Sequence, residues 1–553
     1  MIKAHLIGLI AVSIFMSSCS SKKPADLLVF NATIYTIDSS FSTAEAMVIL
    51  DGKIAATGKL TDLEKEYKVK EKLDAKGKFI YPGFIDAHTH FVRYGLGLKK
   101  IDLTGTNSWA DVVGKVKAFA AVNTDGWIIG RGWDQNHWTV KEFPTNAELN
   151  ALFPDRPLLL SRVDGHAAIA NQKALDVANV KAGDKLTGGI VEVSERTGTT
   201  SLPKLTGLLI DNAVDLVTKN IPAATDEQYK NSLKDAQNNC FAMGLTTVDD
   251  CGVDAADVEK LKILHADGNL KMRMYVMLSD DKNNYNYLEK TGIIKTERLN
   301  VRSFKVYGDG ALGSRGACLL EPYSDKKNHY GFLLSNAAHF DSVANWIAKN
   351  GFQMCTHAIG DSGNRTMLNI YAKYLKGKND RRWRIEHAQV INKSDFNLFG
   401  ENSIVPSVQP THATSDMRWA EIRLGSDRVK GAYAYKQLLQ QSGWLPLGTD
   451  FPVEDISTFK TFYAAVVRKD AMGWPEKGYQ MENALTREET LKGMTIWAAK
   501  SNFEENEKGS LEKGKLADFI ILDADIMKEA PEKLLKINVL KTFIGGEKVY
   551  EKK

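Results

Sequence analysis

Eight short apolar runs of strand length follow one another along this chain, at residues 79–88, 245–250, 272–278, 303–307, 352–357, 383–387, 404–409 and 445–450. Most are separated by stretches with room for a helix, as at 227–243 and 341–349. Strands buried on both faces read as continuous apolar runs, and parallel neighbours need a long, usually helical, crossover. Eight of them alternating with helices predict a (β/α)8 barrel, the TIM barrel. The gap after the first run is too long for one helix. It predicts an inserted subdomain at about 100–224.

Sheet sequence stands at both chain ends. Leu27 to Phe30, Ala32 to Ile37 and a hairpin on Asp51-Gly52 precede the first run. Residues 514–523 and 539–550 are also strand-like. The pattern predicts a small β-sandwich built from 26–78 and 501–553, beside a barrel at 79–500. Ahead of it, Lys3 and an apolar stretch at 6–16, too short to span a bilayer, read as a signal peptide over 1–18. Met16-Ser17-Ser18-Cys19 is similar to a bacterial lipoprotein cleavage box, with Met where Leu is usual. Cys19 is then the expected lipidated N-terminus, 19–25 its polar tether, and the cell envelope, facing the periplasm or exterior, the location. An ordinary secretory signal with a chance cysteine is the competing reading.

Charge excludes some partners. The 72 basic and 68 acidic residues leave a formal +4, too balanced for a nucleic-acid surface. A small molecule is the expected partner, besides the lipid anchor. Nothing fixes the oligomeric state, a homodimer included. Beyond Cys19, Cys240, Cys251, Cys318 and Cys355 remain. A chain this long needs no disulfide staples, and Cys240 and Cys355 read as packed thiols.

The first run ends in His88-Thr89-His90. Residues i and i+2 of a strand face one side, so the two imidazoles can chelate one divalent ion. The fourth run carries Lys305, the fifth ends at His357, the sixth at His387 and the eighth at Asp450. Each has a plain structural explanation: a satisfied core histidine, a snorkelling lysine, a loop cap. Together they lie at the C-terminal strand ends, where barrel enzymes place their chemistry.

This order of His-x-His, Lys, His, His and Asp resembles the amidohydrolase superfamily. The likeness extends to Gly83-Phe84-Ile85-Asp86-Ala87-His88-Thr89-His90, Gly244-Leu245-Thr246-Thr247-Val248, Asp309-Gly310-Ala311-Leu312-Gly313-Ser314-Arg315-Gly316-Ala317, Thr356-His357-Ala358-Ile359-Gly360-Asp361, Ser407-Val408-Gln409-Pro410-Thr411-His412 and Gly448-Thr449-Asp450-Phe451-Pro452. With Gly130-Arg131-Gly132-Trp133-Asp134-Gln135-Asn136 and Asp164-Gly165-His166-Ala167-Ala168, it is similar to the amidohydrolase-3, YtcJ-like family over nearly the whole mature chain.

The resemblance implies that His88 and His90 bind one metal with Asp450, that His357 and His387 bind a second, and that Lys305 bridges them. An ammonium has no lone pair. A carboxylated Lys305 supplies the bridge, and burial, which lowers lysine pKa, favours the neutral amine it needs. A free amine in a one-metal site is the alternative. Zinc suits these donors, while iron, manganese and nickel fit them too. The implied reaction is hydrolysis of a C–N bond in an amide, cyclic amide or N-formyl group. A metal-activated hydroxide attacks, and Asp450 serves as base and then acid. His166 and Trp133 are expected to contact substrate, and Asp361 to do so or to cap the next helix. An esterase or isomerase on the same site, and a non-catalytic ligand-binding lipoprotein, are the competing functions. The complete ligand set argues against the last.

Overall fold

The computed structural model describes residues 22–194 and 203–553. The signal-peptide and lipidation readings at 1–18 and Cys19 lie outside the described residues.

Seven parallel strands form the barrel wall, in the order Phe84–Thr89, Leu245–Val253, Arg273–Ser279, Leu299–Tyr307, Gln353–Ala358, Arg384–His387 and Val405–Ser407. The eighth run, 445–450, closes the wall with few regular pairs. Leu447 bridges Val408 in parallel, Gly448 N donates to Val408 O at 3.0 Å, and Asp450 N donates to His88 O at 2.8 Å. Contact here is close enough to exclude a side chain: a Cβ on Gly448 would lie 2.6 Å from His88 N. The fold is the mixed α/β barrel expected, with further sheets attached.

Helices fill the crossovers for local reasons. Asp226–Ala242 begins with a capping box, Thr225 accepting from Gln228 N while the Gln228 side chain returns to Thr225 N. Its Tyr229, Leu233, Ala236, Cys240 and Phe241 form one buried face. Ala337–Asn350 is capped by Asn336 and stopped by Gly351 in the left-handed region.

The first run does not form one strand. Phe79 to Pro82 end the long strand Tyr67–Pro82, where Phe519 pairs with Pro82 and Leu522 with Phe79. Gly83 then passes the chain to the barrel, its N–H donating to Asp518 O at 2.9 Å. An uninterrupted apolar run carries no sign that it changes sheets, which is why the boundary near 79 falls a few residues early. The expected tether also runs too far: Lys23, Pro24 and Ala25 already pair in parallel with Tyr67, Lys68 and Val69. Residues 539–550 fold as a hairpin, Val539–Ile544 and Glu547–Glu551, across Gly545 and Gly546 at positive φ.

The two chain ends share a single seven-stranded sheet, in which Lys23–Tyr35 and Tyr67–Pro82 lie at the centre. It curls until its edge strand Lys53–Gly58 meets Leu516. After the first barrel strand, a six-stranded sheet between Ile101 and Asp211 carries its own core around Leu103, Trp133, Leu160 and Ile169.

Candidate metal centre

The alternation of the Phe84–Thr89 strand sets both rings of His88 and His90 at the barrel's C-terminal end. Each ring is fixed through one nitrogen. His88 Nδ1 donates to Glu386 Oε2 at 2.6 Å, and His90 Nδ1 donates to Cys251 O at 2.9 Å. Each Nε2 thereby keeps its lone pair, that of His88 facing Lys305 Nζ at 3.0 Å, and an outer acceptor orienting the ring is the arrangement of metal-binding imidazoles. They converge on one oxygen: Asp450 Oδ1 lies 3.3 Å from His90 Nε2 and 3.7 Å from His88 Nε2.

Asp450 Oδ1 is buried and has no hydrogen-bond partner. Ligand atoms about 2.0–2.1 Å from a tetrahedral ion stand roughly 3.3–3.4 Å apart. The His90–Asp450 pair matches that spacing and the His88–Asp450 pair is a few tenths of an ångström wider. Asp450 itself sits at φ 65 and His387 at φ 72, left-handed values that a side chain adopts at a cost.

The remaining rings form a chain across the barrel mouth. His88 and His387 lie 4.7 Å apart between centroids, His387 and His357 4.6 Å, and His357 and His166 5.0 Å. His387 Nδ1 donates to Gln409 Oε1 at 2.8 Å. Buried Asp309 approaches His357 Nε2 at 3.8 Å while accepting from Ile359 N, Gly360 N and Cys318 N. His166 comes from the inserted sheet, and its Nδ1 donates to Asp211 Oδ1 at 2.5 Å.

Burial pushes His88, His90, His357 and His387 down, His90 to about 3, so all four are neutral near pH 7 and able to donate lone pairs. Burial also pushes Asp450 up, but His88, His412 and His90 outweigh it and hold the carboxyl well below its usual range.

Lys305 lies beside His88. It is fully buried, and burial does work against its charge. Cys251, Tyr307, Glu386 and Asp450 around it outweigh that effect and raise its pKa. Its Nζ lies 3.0 Å from His88 Nε2, the position of an ammonium donating to that ring. Burial alone therefore does not free the amine for a ligand role.

Sequence reasoning missed His412. Its Nε2 lies 3.2 Å from Asp450 Oδ2, and it forms a second potential three-ligand group with His387 and Asp450. Burial pushes it down, yet Asp450 and Glu454 hold it up at about 9. It is thus a cation that holds the carboxylate. Its place just after the seventh strand, in Gln409-Pro410-Thr411-His412, was the available signal. Asp309, at the head of Asp309-Gly310-Ala311, and Glu386, beside His387, offered the same kind of signal, whereas Asp211 gave none, because its importance lies in what it touches.

Two residues expected at the substrate are held by other partners in this fold. Trp133 is fully buried in the core of the inserted sheet, its Nε1 donating to Leu160 O at 2.8 Å. Asp361 does not cap its helix: Gly360 holds that position, and the Asp361 carboxylate accepts from Leu320 N at 2.9 Å. Such roles turn on tertiary partners that a motif does not display.

Comparison with known proteins matches residues 71–550 to the model of the "Amidohydrolase family". The protein LONG AFTER FAR-RED 3 of Arabidopsis thaliana is 33% identical, covering 95% of this chain and 92% of its own. An N-substituted formamide deformylase of Arthrobacter pascens is 26% identical, covering 95% of this chain and 98% of its own. The crystal structure of an uncharacterized metal-dependent hydrolase from Pyrococcus horikoshii superimposes with a TM-score of 0.73 at 27% identity, covering 91% of this chain and 99% of that one.

Proposed function

Because this chain belongs to the amidohydrolase family, matched from residue 71 to residue 550, we propose that it hydrolyses the C–N bond of a small amide, cyclic amide or N-formyl compound. It is a metal-dependent hydrolase of non-peptide C–N bonds, and the relative named as a deformylase of N-substituted formamides supports the finer reading. The observation that carries it is the partnerless buried oxygen of Asp450 facing two neutral imidazole nitrogens.

His88, His90 and Asp450 would hold the ion, with zinc the best match to the donors. His357, His387 and a carboxylated Lys305 would serve a second ion. Such an ion, when bound, supplies Lewis acidity and lowers the pKa of water. The chain's own groups do the rest. Asp450, an anion throughout the neutral range, takes the proton of the attacking water and returns it to the leaving nitrogen. His412 keeps the carboxylate in place.

The test is metal content and turnover on one preparation. Protein purified with zinc and bicarbonate is expected to hold two ions per chain and to release formate or amine from N-substituted formamides, N-acyl amino acids or cyclic ureides. Lys305→Ala is expected to retain one ion at most. Absence of bound metal together with absence of turnover on all three classes would overturn the reading, and two ions in Lys305→Ala would remove the bridge.

We also propose that Cys19 carries a lipid anchor in the cell envelope. The support is the 6–16 apolar stretch and Ser17-Ser18-Cys19. Mass spectrometry of membrane-extracted protein should show a diacylglyceryl group on Cys19, and a mature chain that begins elsewhere would refute the anchor.

A further inference from the structure

The chain of imidazoles across the barrel mouth ends in one ring that the barrel does not supply. His166 lies in the turn between the strands Leu158–Arg162 and Ala167–Ala170 of the inserted sheet. Beside it runs the strand Leu205–Asp211, whose last residue donates its N–H to His166 O at 2.8 Å. The insertion is tied to the barrel near this pair and farther along. Asn212 Nδ2 donates to Leu334 O at 3.1 Å, and Arg423 Nη2 donates to Asn136 Oδ1 at 3.0 Å. The His166 ring is thereby set 5.0 Å from that of His357, centroid to centroid.

Asp211 closes one side of that ring. His166 Nδ1 meets Asp211 Oδ1 at 2.5 Å. The Asp211 side chain is fully buried, whereas that of His166 is 16% exposed. Asp211 Oδ2 is buried and has no hydrogen-bond partner. It rests against two glycines of the loop after the fourth strand. A Cβ on Gly310 would lie 2.5 Å from this oxygen, and one on Gly316 nearer still. The loop leaves room for the carboxylate and offers it no donor. The Asp211 backbone, at φ 51 and ψ −125, is a conformation that a residue with a side chain adopts at a cost.

Among the described residues, His166 is the one side chain able to carry positive charge within 4.0 Å of Asp211. A buried carboxylate without a counter-charge is costly. The pair is therefore held neutral overall, whichever group holds the proton between them. Nε2 carries a proton either way, since the Nδ1 side is turned to Asp211. Among the described residues Nε2 makes no hydrogen bond, and it is open to solvent. A hydrogen-bond donor without a protein acceptor thus stands beside His357.

From this geometry we infer that His166 is a catalytic residue whose Nε2–H donates to the acyl oxygen of the amide as that oxygen gains charge, and that Asp211 is the positioning residue that orients it. The inference rests on the C–N hydrolase reading. Water adds its oxygen to the acyl carbon and passes a proton to Asp450. The carbonyl π pair moves onto the acyl oxygen, where the His166 donor meets it. When the C=O bond re-forms, the C–N bond breaks and the nitrogen takes the proton from Asp450. His166 keeps its own proton throughout.

The test uses the metal-loaded protein, with N-formylphenethylamine as substrate and methylphosphonate, a tetrahedral oxyanion, as a ligand for calorimetry. His166→Leu and Asp211→Asn are each expected to lower kcat by about a hundredfold, the effect of losing one oxyanion donor, with KM within about threefold and metal content unchanged. The double variant should fall no further than either single one, because the two residues act as a unit. Methylphosphonate should bind about tenfold more weakly to both single variants. Asp211→Asn keeps the shape of the buried side chain, so it reports on the pair even where His166→Leu fails to fold. A kcat for Asp211→Asn within about threefold of the unaltered protein, or losses that multiply in the double variant, overturns the assignment. Should the unaltered protein hydrolyse no formamide, N-acyl amino acid or cyclic ureide, methylphosphonate decides. Weaker binding in both variants leaves the donor standing and overturns the hydrolase reading alone, and unchanged binding overturns the donor.

Discussion

Asp450→Asn is expected to lower kcat by about three orders of magnitude, within the 10²–10⁴-fold span of positioned acid–base groups. The substitution keeps size and shape. The amide can still meet His412, which lies 3.2 Å from Asp450 Oδ2. What it loses is the capacity to accept a proton, and the anionic oxygen turned toward His88 and His90. Metal content must be measured alongside. Activity lost with the metal retained isolates the proton-transfer role, whereas loss of both shows Asp450 mainly as a ligand. Activity within tenfold of the unaltered protein, with full metal content, would show that another group is the base.

The largest effect on stability is expected at Arg384, which touches none of the reacting groups. Its guanidinium is fully buried at the base of the sixth strand. Nη1 donates to Asp249 Oδ2 at 2.9 Å and Nη2 to Ser501 O at 2.9 Å, with further contacts to Asn502 Oδ1 and Ala87 O. One side chain thus ties the first, second and sixth strands to the end of helix Ile496–Ser501. Arg384→Met should cost about 3–5 kcal/mol, because it leaves the buried Asp249 carboxylate without its cation and with only Asn502 Nδ2, at 2.6 Å, still donating to it. Urea denaturation of the metal-free protein measures it. Adding Asp249→Leu should recover part of the loss, since removing both charges is cheaper than removing one. A cost under about 1 kcal/mol for the single variant would show that water or a rearranged neighbour replaces the guanidinium.

These two sites differ in how far they could be foreseen. Asp450 ends an apolar strand in the company of other polar strand ends, so its position alone marks it. Arg384 sits three residues before His387 and looks like an ordinary strand-start residue. Its weight comes from partners more than a hundred residues away, at 249 and 501.

By itself the sequence determined the mixed α/β barrel, the presence of sheet at both chain ends, and the polar residues that gather at the strand ends. All of these are local. Apolar runs, turn chemistry and the two-residue period of a strand are written within a few residues of where they act. Tertiary structure alone decided that both chain ends share one sheet and not a sandwich, that Phe79 to Pro82 belong to the terminal sheet, that Trp133 is core, and that the insertion delivers His166 to within 5.0 Å of His357. It also decided that Lys305 lies among Cys251, Tyr307, Glu386 and Asp450, which raise its pKa, and that His412 grips Asp450. Those facts depend on which distant groups closure of the barrel brings within a few ångströms. Hydrogen bonds and charge effects in a buried site act over just that range, and no periodicity along the chain records it.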